Sequence, residues 1–421
     1  MPTLAPDVTL RWSDRKIAET EQHLETLMEG NFVHWTQKAE LFAARGDSVS
    51  ARSCIEHALK TWSAHHGNND HFVAEIAIAA LLSRCYDIVY DTYEQRYTPD
   101  WKFAIEIVDG LSAVPFVMEW EVESRTRSVF RFDASAYQSD DAHVIFLNWI
   151  WSFQLFDAYH RSLVAIAGKT LFTLGDMAVA PGLAFSANRA DAFLIPDSFF
   201  LSKYGYSYPI TCLDRNRIVW ADRRPVAFWR GGTTGIRAGG WRSLQRVRLC
   251  ETAAEQQDGM LFDVGISHAA QLSNPEWIAE LEASGLMRAF VPSEQFGAYK
   301  YLIDIDGNSS SWEGLFLKLY TGIPVLKVAS PSGFRQWYYD ELKPWVNYVP
   351  VEADMADLAE NVAWLRAHDD QAELIGKRGR ALARSLTYDG ELARSVHTIK
   401  RSIRFFREDD RLIRPGPGGG T

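Results

Sequence analysis

The sequence predicts an α/β protein of two lobes behind a helical N-terminal region. Three observations lead there. From Pro225 onward, apolar runs of strand length alternate with amphipathic helical runs, the pattern of a parallel, doubly wound sheet. From Trp101 the apolar period falls to two over KFAIEIVDG, VPFVMEWEVE and SVFRFDASAY, as in half-buried strands. A length of 421 residues accommodates two such lobes, each with its own core.

Composition narrows the function classes. The chain is 47% hydrophobic and 23% charged, an ordinary balance for a folded globular protein. Its net charge of −10 argues against nucleic acid as a partner, because phosphate-backbone binders carry a basic face. The 15 Trp, 16 Tyr and 23 Phe are many; most belong in cores, and exposed ones suit the flat faces of sugar rings. Cys54, Cys85, Cys212 and Cys250 lack metal-type spacing and read as free buried thiols. The histidines form no His-x-x-x-His cluster, so no metal site is expected. The chain opens without a basic stretch followed by an apolar one, which predicts a cytoplasmic protein.

Residues 1–98 read as helices: ARGDSVSARSCIEHALK and FVAEIAIAALLSRCYDIVYDTY carry apolar residues at helical spacing and predict a helical cap rather than a repeat array. Residues 99–215 form the first α/β domain. Within it HVIFLNWIWSFQLF (143–156) is too short for a bilayer, which needs about 20 apolar residues; it is a buried helix or strand, with docking on a membrane surface left open. KTLFTLGD predicts a strand ending at Gly175 and Asp176. Residues 216–388 are the second domain: VAFWRGG, LFDVGIS, YLIDIDG, PVLKV and YVPV as strands, with helices between them. The last helices close the chain, residues 389–408 crossing back, and 409–421 (RPGPGGGT and its lead-in) form a disordered tail.

Two stretches carry chemistry. In FWRGGTTGIR, Arg230 follows a strand, Gly231 and Gly232 let the backbone approach an anion, Thr233 and Thr234 add hydroxyls and Arg237 adds a second cation, a composition suited to a diphosphate. Arg246 and Arg248 follow on a helix; two residues apart, they face different ways, so at most one of them reaches the ligand. In YKYLIDIDGNSSSWEGLFLKLY, a strand runs through Asp304 and Asp306 into a turn of Gly307, Asn308, Ser309 and Ser311, and a helix begins at Trp312. Free N–H groups at such a turn and helix N-terminus bind anions. Asp304 and Asp306 also fit an Asp-x-Asp metal pair, the competing reading.

The YKYL strand, the Gly-Ser turn and the segment LKPWVNYVP resemble glycosyltransferase family 90, the capsule-associated and protein O-glucosyltransferase (Rumi-like) family, over roughly Asp176 to Phe406. The resemblance implies a GT-B architecture, two Rossmann-like lobes facing a cleft, and inverting, metal-independent transfer of glucose or xylose from a UDP-sugar. No cofactor is expected. The acceptor would be a hydroxyl of a glycan, lipopolysaccharide or capsule-type molecule. Inversion needs a base that takes the acceptor proton, and Asp176 matches the family's strand-terminal Asp, with Asp191 and Asp197 as fallbacks. Arg246 matches a basic position of the family; Arg248 is read as a surface charge. The chain departs from the family at Asp306, Glu313, Gly314 and Leu315, where relatives place basic residues, which leaves phosphate neutralisation to Arg230, Arg237 and Arg246. That departure supports a second reading, a non-catalytic sugar-nucleotide-binding or scaffold protein; the third is a metal-dependent transferase built on Asp304 and Asp306. In LKPWVNYVP, Trp345 is read as core.

Overall fold

The structure, a computed structural model, describes residues 10–27, 32–65, 70–89, 100–236, 239–256 and 261–408. Its chain forms two compact units. The first comprises 1–185, 189–202 and 392–421, and the second 186–188 and 203–391. The tail expected at 409–421 and the predicted Arg237 lie outside the described residues.

The first unit opens with helices at Asp14–Thr26, Phe32–Ala44, Ser48–His65 and Asp70–Leu82. Ser13 caps the first: its Oγ accepts from the Lys16 N–H at 3.2 Å, satisfying one of the donors a helix start leaves over. Ala74–Leu82 are buried at every position, because a helix apolar all round must be enclosed.

The first sheet contains Lys102–Val108 (β1), Val117–Ser124 (β2), Arg127–Asp133 (β3), Gly168–Thr173 (β4), Gly182–Ala184 (β5) and Ala192–Leu194 (β6), in the order β1-β3-β2-β4-β5-β6. The three strands read from period two are all present. β2 runs antiparallel to both its neighbours while the other pairings are parallel. The cause is local: only Arg125 and Thr126 join β2 to β3, and a two-residue connection can only make a hairpin.

The run HVIFLNWIWSFQLF is helical, in helices Ala142–Trp151 and Phe153–Arg161. Its aromatics fill the core, Phe130 lying 5.3 Å from Trp149 and 4.8 Å from Phe156, centroid to centroid. No helix among the described residues is long and apolar enough to cross a membrane. The final helix, Tyr388–Glu408, belongs to the first unit from Leu392 onward. There Ser402 meets Thr170, hydroxyl to hydroxyl, at 2.6 Å, and Phe406 packs with Val117 and Leu171.

The second unit is built on Arg224–Gly232 (β7), Phe262–His268 (β8), Tyr299–Asp304 (β9), Val325–Val328 (β10) and Val349–Val351 (β11). The order is β11-β10-β9-β7-β8 and every pairing is parallel. The connection after β7 runs to β8 on one side and that after β9 to β10 on the other, so the order reverses between β7 and β9. In open α/β sheets, that switch point opens a crevice at the carboxyl ends of the strands. Side chains alternate across the sheet: Trp229 packs on one face with Leu244, Val247 and Ile303, and Phe228 on the other with Tyr299 and Leu302. The four cysteines are free, and Cys212 is half-buried where the sequence suggested full burial.

Trp345 departs from its expected core position. It is 39% exposed, sits at φ 61°, and touches Trp364 edge-on at 5.0 Å. The turn is held instead by Asn347, whose side chain accepts from the Lys343 N–H at 2.8 Å and donates to the Glu341 carbonyl at 2.9 Å.

Candidate functional site at the β7–β9 switch point

At the carboxyl end of β7 the glycines serve close packing. A Cβ on Gly231 would lie 2.6 Å from Trp229 and one on Gly232 2.6 Å from the His268 ring, distances that real side chains do not tolerate. Thr233, buried, donates its hydroxyl to the Ala270 carbonyl at 2.7 Å. Gly235 at φ 146° turns the chain so that its N–H reaches the Asn308 Oδ1 at 3.1 Å, which ties the loop after β7 to the loop after β9.

Arg246 joins the same two loops. It projects from helix Gln245–Ala254, and its Nε donates to the Asp306 carbonyl at 2.9 Å. Its Nη1 donates to the Gly232 carbonyl at 3.2 Å and to the Thr234 Oγ1 at 2.6 Å. The remaining nitrogen, Nη2, makes no hydrogen bond among the described residues and faces Gly307, 3.0 Å from where a Cβ would stand. Burial pulls the guanidinium's pKa down, against the opposing pull of Asp304 and Asp306, yet it stays charged at neutral pH because an Arg starts so high. Arg248 is exposed.

Beneath the loop after β9 lies a buried charge cluster. Asp304 is 0% exposed; Lys318 Nζ is 2.8 Å from its Oδ1 and Lys327 Nζ 3.3 Å from its Oδ2, while the Ser311 hydroxyl donates to Oδ1 at 2.7 Å. Burial alone would raise this carboxyl, but the two ammonium groups outweigh it and hold it at about 2. Asp306 differs. It is 6% exposed, neither carboxylate oxygen has a hydrogen-bond partner among the described residues, and Lys327 stands 3.6 Å away. Burial therefore pushes its pKa up. Lys318 and Lys327 went unremarked in the sequence, although a lysine inside LFLKLY and another inside PVLKV are the mark of a buried cation with a partner.

The structure brings Gly231, Gly232, Thr233, Arg246, Asp306, Gly307, Asn308, Ser309, Ser311 and Trp312 together at the switch point. Ser309 and Ser311 lie in the turn before helix Trp312–Tyr320; Trp312, at φ 24°, occupies a backbone region that L residues rarely adopt. Arg230 is placed on the opposite face of β7, beside Phe228. Its guanidinium pairs with Asp263 and donates to the carbonyls of Trp229 and Asp263 at 2.9 Å and of Ala289 at 3.3 Å, so four of its five donors are spent inside the fold. Glu313 pairs with Lys203.

Of the carboxylates considered as base, Asp176 lies in the first unit just past β4 and is exposed. Asp191 is bound by the Arg189 guanidinium at 2.7 and 2.8 Å, which holds its pKa down. Asp197 is 1% exposed and accepts from the Phe200 N–H at 3.0 Å, a helix-start role.

Residues 212–390 match the model for glycosyl transferase family 90. Protein O-glucosyltransferase 3 of Rattus norvegicus is 31% identical over 167 residues, covering 40% of this chain and 29% of that protein. Uncharacterized protein 035R of Invertebrate iridescent virus 3 is 31% identical over 193 residues, covering 44% of this chain and 17% of that protein. The chain thus spans under a third of the length of these relatives. Among solved structures, Anabaena Alr3699/HepE in complex with UDP-glucose aligns over 83% of this chain and 82% of that one, at 12% identity and a TM-score of 0.33. The segment that matches the family 90 model contains β7 to β11 and every residue gathered at their switch point.

Proposed function

We propose that the second unit binds a UDP-sugar at the β7–β9 switch point and that the protein transfers its glucose or xylose, with inversion, to a hydroxyl of a glycan, lipopolysaccharide or capsule-type acceptor. The observation that carries this is Arg246. Three of its hydrogen bonds lock the loops after β7 and β9 together, and Nη2 is left beside Gly307 at the switch point, where a diphosphate can take it up. Diphosphate charge falls on Arg246, with the turn before Trp312 supplying backbone N–H groups. Arg230 ties β7 to β8 through Asp263 on the opposite face. Asp306, buried beside Lys327 with neither oxygen hydrogen-bonded among the described residues, is suited to accept from hydroxyls of the donor.

A metal-independent reaction is part of the reading. Asp304 meets two ammonium groups and a hydroxyl, a donor set that leaves it nothing to offer a divalent cation. Asp176 is proposed as the general base on the family resemblance, and a cytoplasmic location, with peripheral membrane contact left open, belongs to the same proposal. Arg230 is taken up by Asp263 and Glu313 by Lys203, which favours one second reading, a sugar-nucleotide-binding scaffold without turnover. A panel of UDP-sugars separates the two: ligand-induced melting shifts report binding, and UDP release in EDTA reports turnover. Binding with release supports the transferase; binding without release under any donor and acceptor supports the scaffold; no binding by any member rejects both.

A further inference from the structure

The opposite end of the same sheet holds a second concavity. A cavity of about 510 Å³ is lined by Arg217, Arg223, Lys377, Arg380 and Arg384, with Glu373 the carboxylate among its lining residues. Arg223 directly precedes β7, and Thr321 and Gly322, also in the lining, precede β10. The cavity therefore opens at the amino ends of the strands. β7 separates it from the switch point by the length of a nine-residue strand, about 30 Å at roughly 3.3 Å per residue. Both ends lie in the second unit.

Its charge is poorly compensated. Lys377 is paired with Glu373 at 2.8 Å and Arg380 with Asp214. Arg223 has no carboxylate: it is 8% exposed, its Nε and Nη2 donate to the Ile218 carbonyl at 3.1 and 2.9 Å, and its Nη1 has no hydrogen-bond partner among the described residues. The Arg380 Nε is likewise buried without a partner among them. Burial first, and then the like charges of Arg217 and Arg380, draw the Arg223 pKa down to about 10 against the opposing pull of Glu373. Arg217 and Arg384 are exposed at the rim. A buried cation left without a paired carboxylate is costly; Glu373 is held by Lys377 at 2.8 Å, and no carboxylate forms an ion pair with Arg223 among the described residues.

We propose that this cavity is an anion site, for a small molecule bearing at least two phosphoryl charges, distinct from the switch-point site. Five cationic side chains converge on a volume within the range of ligand pockets, about 300–1,000 Å³, and guanidinium groups match phosphoryl oxygens in geometry. The proposal does not depend on the transferase reading, because it rests on residues at the far end of the sheet.

The test is calorimetric titration of the full-length protein with inorganic pyrophosphate. The wild type and Arg246→Met, altered at the switch point, both bind. In that Arg246→Met background the double change Arg217→Ser/Arg384→Ser, made only at exposed positions, weakens binding about tenfold or more while circular dichroism and the ligand-free melting temperature stay at the values of Arg246→Met. Failure of the wild type to bind at millimolar pyrophosphate overturns the proposal. So does affinity undiminished when Arg217→Ser/Arg384→Ser is added to Arg246→Met, or binding abolished by Arg246→Met alone, which would locate the anion at the switch point.

Discussion

Replacing Asp304 by Asn keeps the side chain's shape and removes its charge from between Lys318 and Lys327. In the native protein this carboxyl is held at about 2 against an ordinary 3.8; at about 1.36 kcal/mol per pH unit, that gap corresponds to roughly 2 kcal/mol of stabilisation at neutral pH. The variant also leaves two buried ammonium groups, at 2.8 and 3.3 Å, without their carboxylate. Breaking a buried pair from one side typically costs about 3–5 kcal/mol, so the expected loss is about 2–5 kcal/mol. For a unit of this size it lowers the melting temperature by roughly 5–15 °C. Because the folded pKa is depressed, the contribution is present above pH 3.8 and fades as pH falls towards 2; the gap between wild type and variant therefore narrows in that window. The assay is thermal unfolding followed by circular dichroism at pH 7, in EDTA and again with Mn²⁺. An Asp304→Asn variant melting with the wild type, or a wild type whose melting rises with Mn²⁺ only when Asp304 is present, would refute the structural role and restore the metal pair.

Three further outcomes follow from the geometry. Burial would pull His143 down, but Glu40 at 2.8 Å and Glu75 at 3.6 Å outweigh it, and the opposing Lys16 too, and push it to about 9. This stabilisation is complete below pH 6.5 and is lost as pH rises through 9, at most about 3 kcal/mol; hydrogen exchange of helix Ala142–Trp151 should accelerate across that window in the wild type and show no such step in His143→Gln. Gly232→Ala drives a Cβ to 2.6 Å from the His268 ring and should cost about 1–3 kcal/mol with weakened donor binding, whereas Gly239→Ala, with nothing within 4 Å, should cost little; equal melting temperatures for the two would contradict the packing role of Gly232. Asp176→Asn should leave UDP-sugar affinity within about twofold and slow transfer by about 10²-fold or more; normal turnover would remove Asp176 as the base.

Local pattern carried the second unit far. Helix Trp312–Tyr320 and the strands around it are where period and turn residues put them, because in a doubly wound sheet each strand is a short apolar run bounded by breakers. Helical period also separated Arg246, turned into the fold, from exposed Arg248. What stayed hidden depends on register between distant segments. Asp263 sits one strand away from Arg230 and occupies its guanidinium, a pairing invisible until β7 and β8 are aligned. Lys318 and Lys327 meet Asp304 only because β9, β10 and the helix between them close on one another. The antiparallel β2 was legible in principle from the shortness of the Arg125–Thr126 link, and Trp345 was misplaced because a turn residue at positive φ looks, in one dimension, like any buried aromatic.

The central claim is that a sugar nucleotide binds at the β7–β9 switch point through Arg246. Its most direct test is calorimetric titration of UDP-glucose and UDP-xylose into wild type and Arg246→Met, with folding of both checked by circular dichroism. The account predicts one donor site in the wild type and about tenfold or greater loss of affinity in a folded Arg246→Met protein, as expected when a charged hydrogen bond worth about 1.5–3 kcal/mol is removed. Equal affinity in the two proteins, or no binding of either nucleotide by the wild type, would contradict it.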